Sequence, residues 1–133
     1  MSRSKQAIRS LHLVLSLVLA PHLRAATVTG EIADSRDGHL IPARLYIQAD
    51  DGRWLFAESA SPAGSAIRYE KRNWINTNAV EMHVTLPAHP FRIKLPPGGY
   101  TFTAERGKEY RPLVRRVEVA AEPVNSEDAK ARS

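Results

Sequence analysis

The chain of 133 residues contains no cysteine. Thiol chemistry, cysteine-ligated metals and disulfide staples are therefore excluded, and any fold must be held by buried apolar area alone. Aromatic residues are sparse: three Phe, four Tyr and two Trp. No apolar run reaches the roughly 20 residues that a membrane-spanning helix needs. The longest, Leu11 to Ala20, reads LHLVLSLVLA. There is no phosphate-cradling glycine loop and no G-x-S-x-G nucleophile elbow. Ser59, Ser61 and Ser65 lie in a small-residue stretch with no histidine placed near them. No segment carries a helical stripe of apolar residues.

Charge is present, but unevenly. The formal net charge is +5. Residues 1–26 hold four basic groups (Arg3, Lys5, Arg9, Arg24) and no acid, which leaves 15 Lys+Arg against 14 Asp+Glu in the remaining 107 residues. That near-neutral remainder speaks against a nucleic-acid footprint.

The front segment has the three-part layout of a secretory signal peptide. Arg3, Lys5 and Arg9 make a basic start, Leu11 to Ala20 an apolar centre, and Ala25-Ala26 a small-residue end. Cleavage is expected after Ala25 or Ala26, giving an exported protein, periplasmic or extracellular, with no membrane span in its mature form. An uncleaved amphipathic anchor is the competing reading.

Beyond it the pattern has period two, as half-buried strands do. Inward positions are Val28 and Ile32; Ala43, Leu45, Ile47 and Ala49; Trp54 and Phe56; Val80, Met82, Val84 and Leu86; Phe91, Ile93 and Leu95; Tyr100, Phe102 and Ala104; Val117 and Val119. Turn residues separate these runs at Asp37-Gly38, Asp50-Asp51-Gly52, Pro87 to Pro90, Pro96 to Gly99 and Arg106-Gly107. Arg115-Arg116 interrupts the last alternation, which predicts a bulge. The expectation is an all-β, single seven-stranded sandwich over residues 27–119. Residues 57–79 are expected to be a long inserted loop, and residues 120–133 a disordered tail.

Chemistry-bearing residues are few. Glu81 and His83, two apart on a strand, share one side of it, and His89 follows a turn; a His/His/carboxylate set can hold zinc or iron. Solvated strand-face residues explain the same three equally simply, so they stand as weak metal candidates and no cofactor is expected. Arg68, Tyr69 and Trp74 mix charge with aromatic surface and are the candidate binding residues for a sugar or a peptide.

Two stretches carry a family resemblance. Gly30-Glu31-Ile32-Ala33-Asp34 with Gly38 and Ile41-Pro42-Ala43-Arg44-Leu45 resembles the opening of carboxypeptidase regulatory-like domains, which are small transthyretin-like Greek-key sandwiches. Leu95-Pro96-Pro97-Gly98-Gly99-Tyr100-Thr101-Phe102-Thr103-Ala104 resembles their later hairpin. More narrowly, Ala66-Ile67-Arg68-Tyr69, Glu81-Met82-His83, Ala88-His89-Pro90-Phe91 and Glu105 to Tyr110 resemble the N-terminal accessory domain of CehA/McbA-type metallohydrolases. The metal-dependent catalytic domain of the PHP kind that follows in that family has no counterpart here. The resemblance implies a non-enzymatic accessory module that supports a partner protein or hydrolase domain, or binds carbohydrate. The alternative is the N-terminal fragment of such a hydrolase.

Overall fold

The alternating runs become strands in the computed structural model, which describes residues 9–19, 25–76 and 79–121. The strands are β1 (Leu11–Leu19), β2 (Ala26–Asp34), β3 (Ala43–Ala49), β4 (Trp54–Leu55), β5 (Glu58–Ser59), β6 (Ile67–Arg72), β7 (Val80–Leu86), β8 (Phe91–Leu95), β9 (Gly98–Glu105) and β10 (Leu113–Val119). Among the described residues there is no helix. Two antiparallel sheets form a β-sandwich. One has the order β1-β2-β8-β5; the other runs β10-β9-β3-β7-β6, with β4 paired to β3.

The seven expected runs form β2, β3, β4 and β7–β10, and the described residues add β5 and β6 within the domain and β1 in front of it, so the expected count of seven is corrected. The stretch expected to be one long loop, 57–79, holds β5 and β6. All six residues of β6 are exposed. A strand with water on both faces has no reason to alternate in polarity, so its pattern is silent in the sequence. The expected bulge at Arg115-Arg116 is also corrected, because the β9–β10 register runs unbroken from Leu113↔Ala104 to Val119↔Gly98. β10 lies at the edge of its sheet, where consecutive arginines can both reach water.

The core is what the alternation implies except at β4, where the expected inward pair Trp54 and Phe56 is corrected: Leu55 lies opposite the buried Ile47 and packs on the core, and Trp54 lies opposite Gln48 on the outer face. Leu45, Ile47 and Val84 from β3 and β7, Tyr100 and Phe102 from β9, Val28 from β2, and Phe91 and Leu95 from β8 are the core's largest fully buried side chains. β3, β8 and β9 bury every second residue, at roughly 1.5–3 kcal/mol per large aliphatic or aromatic side chain. The Leu95–Tyr100 motif is not a hairpin, since β8 and β9 belong to different sheets. It is a corner between them. Gly98 takes a positive φ of 147° there, and the Tyr100 hydroxyl donates to the Pro96 carbonyl at 2.6 Å, which satisfies the one polar atom that Tyr100 brings into the core. Residues 1–8 and 20–24 of the front segment, and residues 122–133 of the expected tail, lie outside the described residues.

Candidate functional site

Pairing of β3 with both β7 and β9 builds the outer face of the larger sheet. Leu45 faces Val84 in the β3–β7 register and points into the core, so the neighbouring residues Tyr46 and His83 meet on the opposite, outer face. Tyr46 is also opposite Thr103 of β9, and His83 is opposite Tyr69 of β6. The result is a cross-strand row of Thr103, Tyr46, His83 and Tyr69. The ring centroids of Tyr46 and His83 are 5.1 Å apart at 47°, and those of Tyr69 and His83 are 5.0 Å apart at 27°. Such offsets are favourable for aromatic pairs.

His83 is the anomaly of this face. An outward strand position is ordinarily wet, yet His83 is only 4% exposed because the two tyrosines close over it. Among the described residues its Nδ1 has no hydrogen-bond partner. Glu81 Oε1 lies 3.6 Å away and also stands 3.8 Å from Arg44 Nη1. Burial pushes the imidazole pKa below its ordinary value, and this outweighs the opposing pull of Glu81; Arg44 adds to the depression. The ring is therefore neutral at pH 7, with one donor and one acceptor nitrogen. Burial, with Glu105 nearby, likewise raises the Tyr46 phenol and keeps it protonated.

Two depressions flank the row and share Glu105. A cavity of about 180 Å³ is lined by Tyr46, Gln48, Trp54, Thr101, Thr103 and Glu105. A larger one of about 770 Å³ runs past Arg44, Thr85 and Glu105 to Arg106 and Tyr110. Flat aromatic surface beside hydroxyl, amide and carboxylate groups suits stacking plus directional hydrogen bonding.

The sequence-predicted residues divide over this geometry. Tyr69 joins the row. Arg68, one residue earlier on β6, faces the other way; its guanidinium lies 3.9 Å from the centre of the Phe56 ring and donates to Glu70 Oε1 at 2.7 Å. Trp74, 97% exposed beyond the end of β6, stands apart from both. Of the metal candidates, Glu81 and His83 are neighbours. His89 lies elsewhere, beside Ser59 and Gly64, where a Cβ on Gly64 would approach His89 Cδ2 to 3.0 Å. Among the described residues no group of three or more His, Asp or Glu side chains is placed to hold a metal ion. Sequence reasoning missed Tyr46, Trp54 and Glu105. Alternation already put Tyr46 and His83 on outward positions, but which strands are neighbours cannot be read from periodicity.

No family model, curated protein or solved structure matches the chain.

Proposed function

We propose that this chain is an exported, non-catalytic accessory module of the carboxypeptidase regulatory-like, transthyretin-like Greek-key kind, and that it binds carbohydrate on the outer face of its larger sheet. One observation carries the reading: a buried, neutral His83 clasped between Tyr46 and Tyr69, whose Nδ1 has no hydrogen-bond partner among the described residues. An unsatisfied buried polar atom costs about 1–3 kcal/mol. A structural role for the ring would not require that cost, whereas a ligand hydroxyl arriving between the tyrosines would remove it. The leader read from residues 1–26 supports export, with hydrolysis after Ala25 or Ala26 releasing the module. The nearby Gln48, Thr101, Thr103 and Glu105 supply the polar contacts that orient a sugar ring.

The test is affinity electrophoresis of the exported protein through gels carrying a panel of soluble polysaccharides, with Tyr69→Ala beside it. Tyr69 is 42% exposed, so its truncation spares the core. Retardation by at least one polysaccharide, weakened tenfold or more in the variant, is expected. Unretarded migration in every gel refutes the reading.

A further inference from the structure

Sheet edges invite other strands, and this sequence guards most of its edges. β5 is two residues long; β6 carries Arg68, Glu70, Lys71 and Arg72; β10 carries Arg115, Arg116 and Glu118. β2 is the exception. It is nine residues long, and of its two acids Asp34 is buried against the Tyr110 hydroxyl, which donates to it at 2.9 Å. Its outer edge is covered by β1, in continuous register from Leu11↔Asp34 to Leu19↔Ala26. Yet β1 is the apolar centre of the leader. If export removes the leader, the longest unguarded edge of the fold is left bare.

The seat that β1 leaves has a definite shape. Leu11 is buried in the core, and Leu13 and Leu15 pack against it, whereas Val14 on the other face of β1 is 54% exposed. Leu15 lies opposite Gly30, which in turn lies opposite Phe91. A Cβ on Gly30 would collide with the Phe91 ring and come within 2.9 Å of Leu15 Cδ2. Glycine at this position keeps a slot open, with Phe91 as its floor, for one branched side chain of the incoming strand. Beyond β1 the Ser35 amide donates to the Ser10 carbonyl at 2.9 Å, which extends the backbone pairing past the strand itself.

We propose that the outer edge of β2 is a strand-docking site which, in the mature protein, takes an extended segment of a partner protein with bulky aliphatic residues at alternate positions. The occupant's chemistry is that of β1, the segment seated there: backbone pairing along the edge, with three alternate side chains, those of Leu11, Leu13 and Leu15, packed on the core and Leu17 52% exposed beyond them. This inference rests on the proposed removal of the leader, and is independent of the sugar-binding face.

The test uses the protein as cells export it. Intact mass gives its N-terminus. A labelled peptide of residues 9–19, with a lysine tail for solubility, is then titrated against it, with amide exchange followed along β2. Micromolar binding and at least tenfold slower exchange of alternate β2 amides are expected. Peptides carrying Leu13→Asp or Leu15→Asp should bind at least thirtyfold more weakly, and one carrying Val14→Asp about as well as the parent. If the cleaved protein is unfolded alone, recovery of its β-sheet circular dichroism with the parent peptide supports the docking site equally, and failure to recover overturns it. Cleaved, folded protein that ignores the peptide, or binds all variants alike, overturns this inference only. Exported protein that still carries residues 9–19 overturns the leader reading and this inference together.

Discussion

Replacing His83 by leucine should leave the protein about as stable at pH 8, make it more stable in acid, and leave it unable to bind. The two side chains are similar in volume, and Tyr46 and Tyr69 would close over leucine much as they close over the imidazole. What disappears is the desolvated Nδ1, which among the described residues has no partner. Leaving such an atom buried costs about 1–3 kcal/mol. That gain is offset by the loss of two ring-on-ring contacts, each worth roughly 0.5–1.5 kcal/mol beyond area. The two changes are of equal size, so at pH 8 the variant should lie within about 1 kcal/mol of the parent, or about 4 °C in Tm for a domain of this size. The pH dependence gives a second readout. The folded-state pKa of His83 lies below its ordinary value, so between the two values the unfolded chain holds a proton that the folded chain does not. Stability therefore falls as pH drops from about 6.5 toward the folded value. In His83→Leu that decline vanishes, so the advantage of the variant grows from pH 8 to pH 5. Urea unfolding at several pH values, followed by tryptophan fluorescence, measures both effects. A variant destabilised by 1 kcal/mol or more at pH 8, with the original acid slope retained, would refute the assignment of an unpartnered imidazole. The groups facing His83 that could blur the slope are Glu81, Arg44 and Glu105. Glu81→Gln in the same background isolates the first of them.

Phe102→Ala, at a residue wholly buried in the middle of β9, should cost about 3–5 kcal/mol in the same unfolding assay. Tyr110→Phe should weaken the fold through Asp34. The carboxyl of Asp34 is held below its ordinary value by the Arg36 amide and, secondarily, by the Tyr110 hydroxyl. A depressed carboxylate stabilises above its unfolded pKa, and that contribution is lost as pH falls through the folded one. The deficit of Tyr110→Phe should therefore be largest at neutral pH and shrink below about pH 4. A deficit that does not vary with pH would show that the hydroxyl does not act on Asp34.

Legibility in this chain followed exposure. Five strands, β2, β3, β7, β8 and β9, showed their buried face as alternation, and β10, interrupted by Arg115-Arg116, showed it only in part. β6 buried neither face and could not be read. The outer face was half legible. Period two placed Tyr46 and His83 outward, but their contact depends on β3 lying beside β7, a long-range pairing that no local pattern encodes. Arg68 and Tyr69 looked like one cluster because they are adjacent in sequence, and adjacency on a strand means opposite faces.

β1 is the instructive case, because its leucines satisfy two physical demands at once. Positions 11, 13, 15, 17 and 19 are all leucine. An apolar centre behind a basic start is what an export signal requires, and it needs no periodicity. A strand requires alternation, and the intervening His12, Val14, Ser16 and Val18 supply it only in part. Composition therefore points to the leader, and spacing to the strand. Both readings hold if the segment acts at different times: as a strand closing the β2 edge while the leader is attached, and as a vacancy afterwards. On that account His12 and Ser16, unneeded by an apolar export signal, are the outward polar positions of β1. Exchanging each for the leucine before it, so that the apolar content is kept and the alternation broken, separates the two demands. Export efficiency should stay within about twofold, because composition is unchanged, while the peptide of residues 9–19 carrying the same exchanges should lose its affinity for the mature protein. If the exchanged peptide binds as tightly as the original, the β2 edge selects for greasiness rather than for a strand.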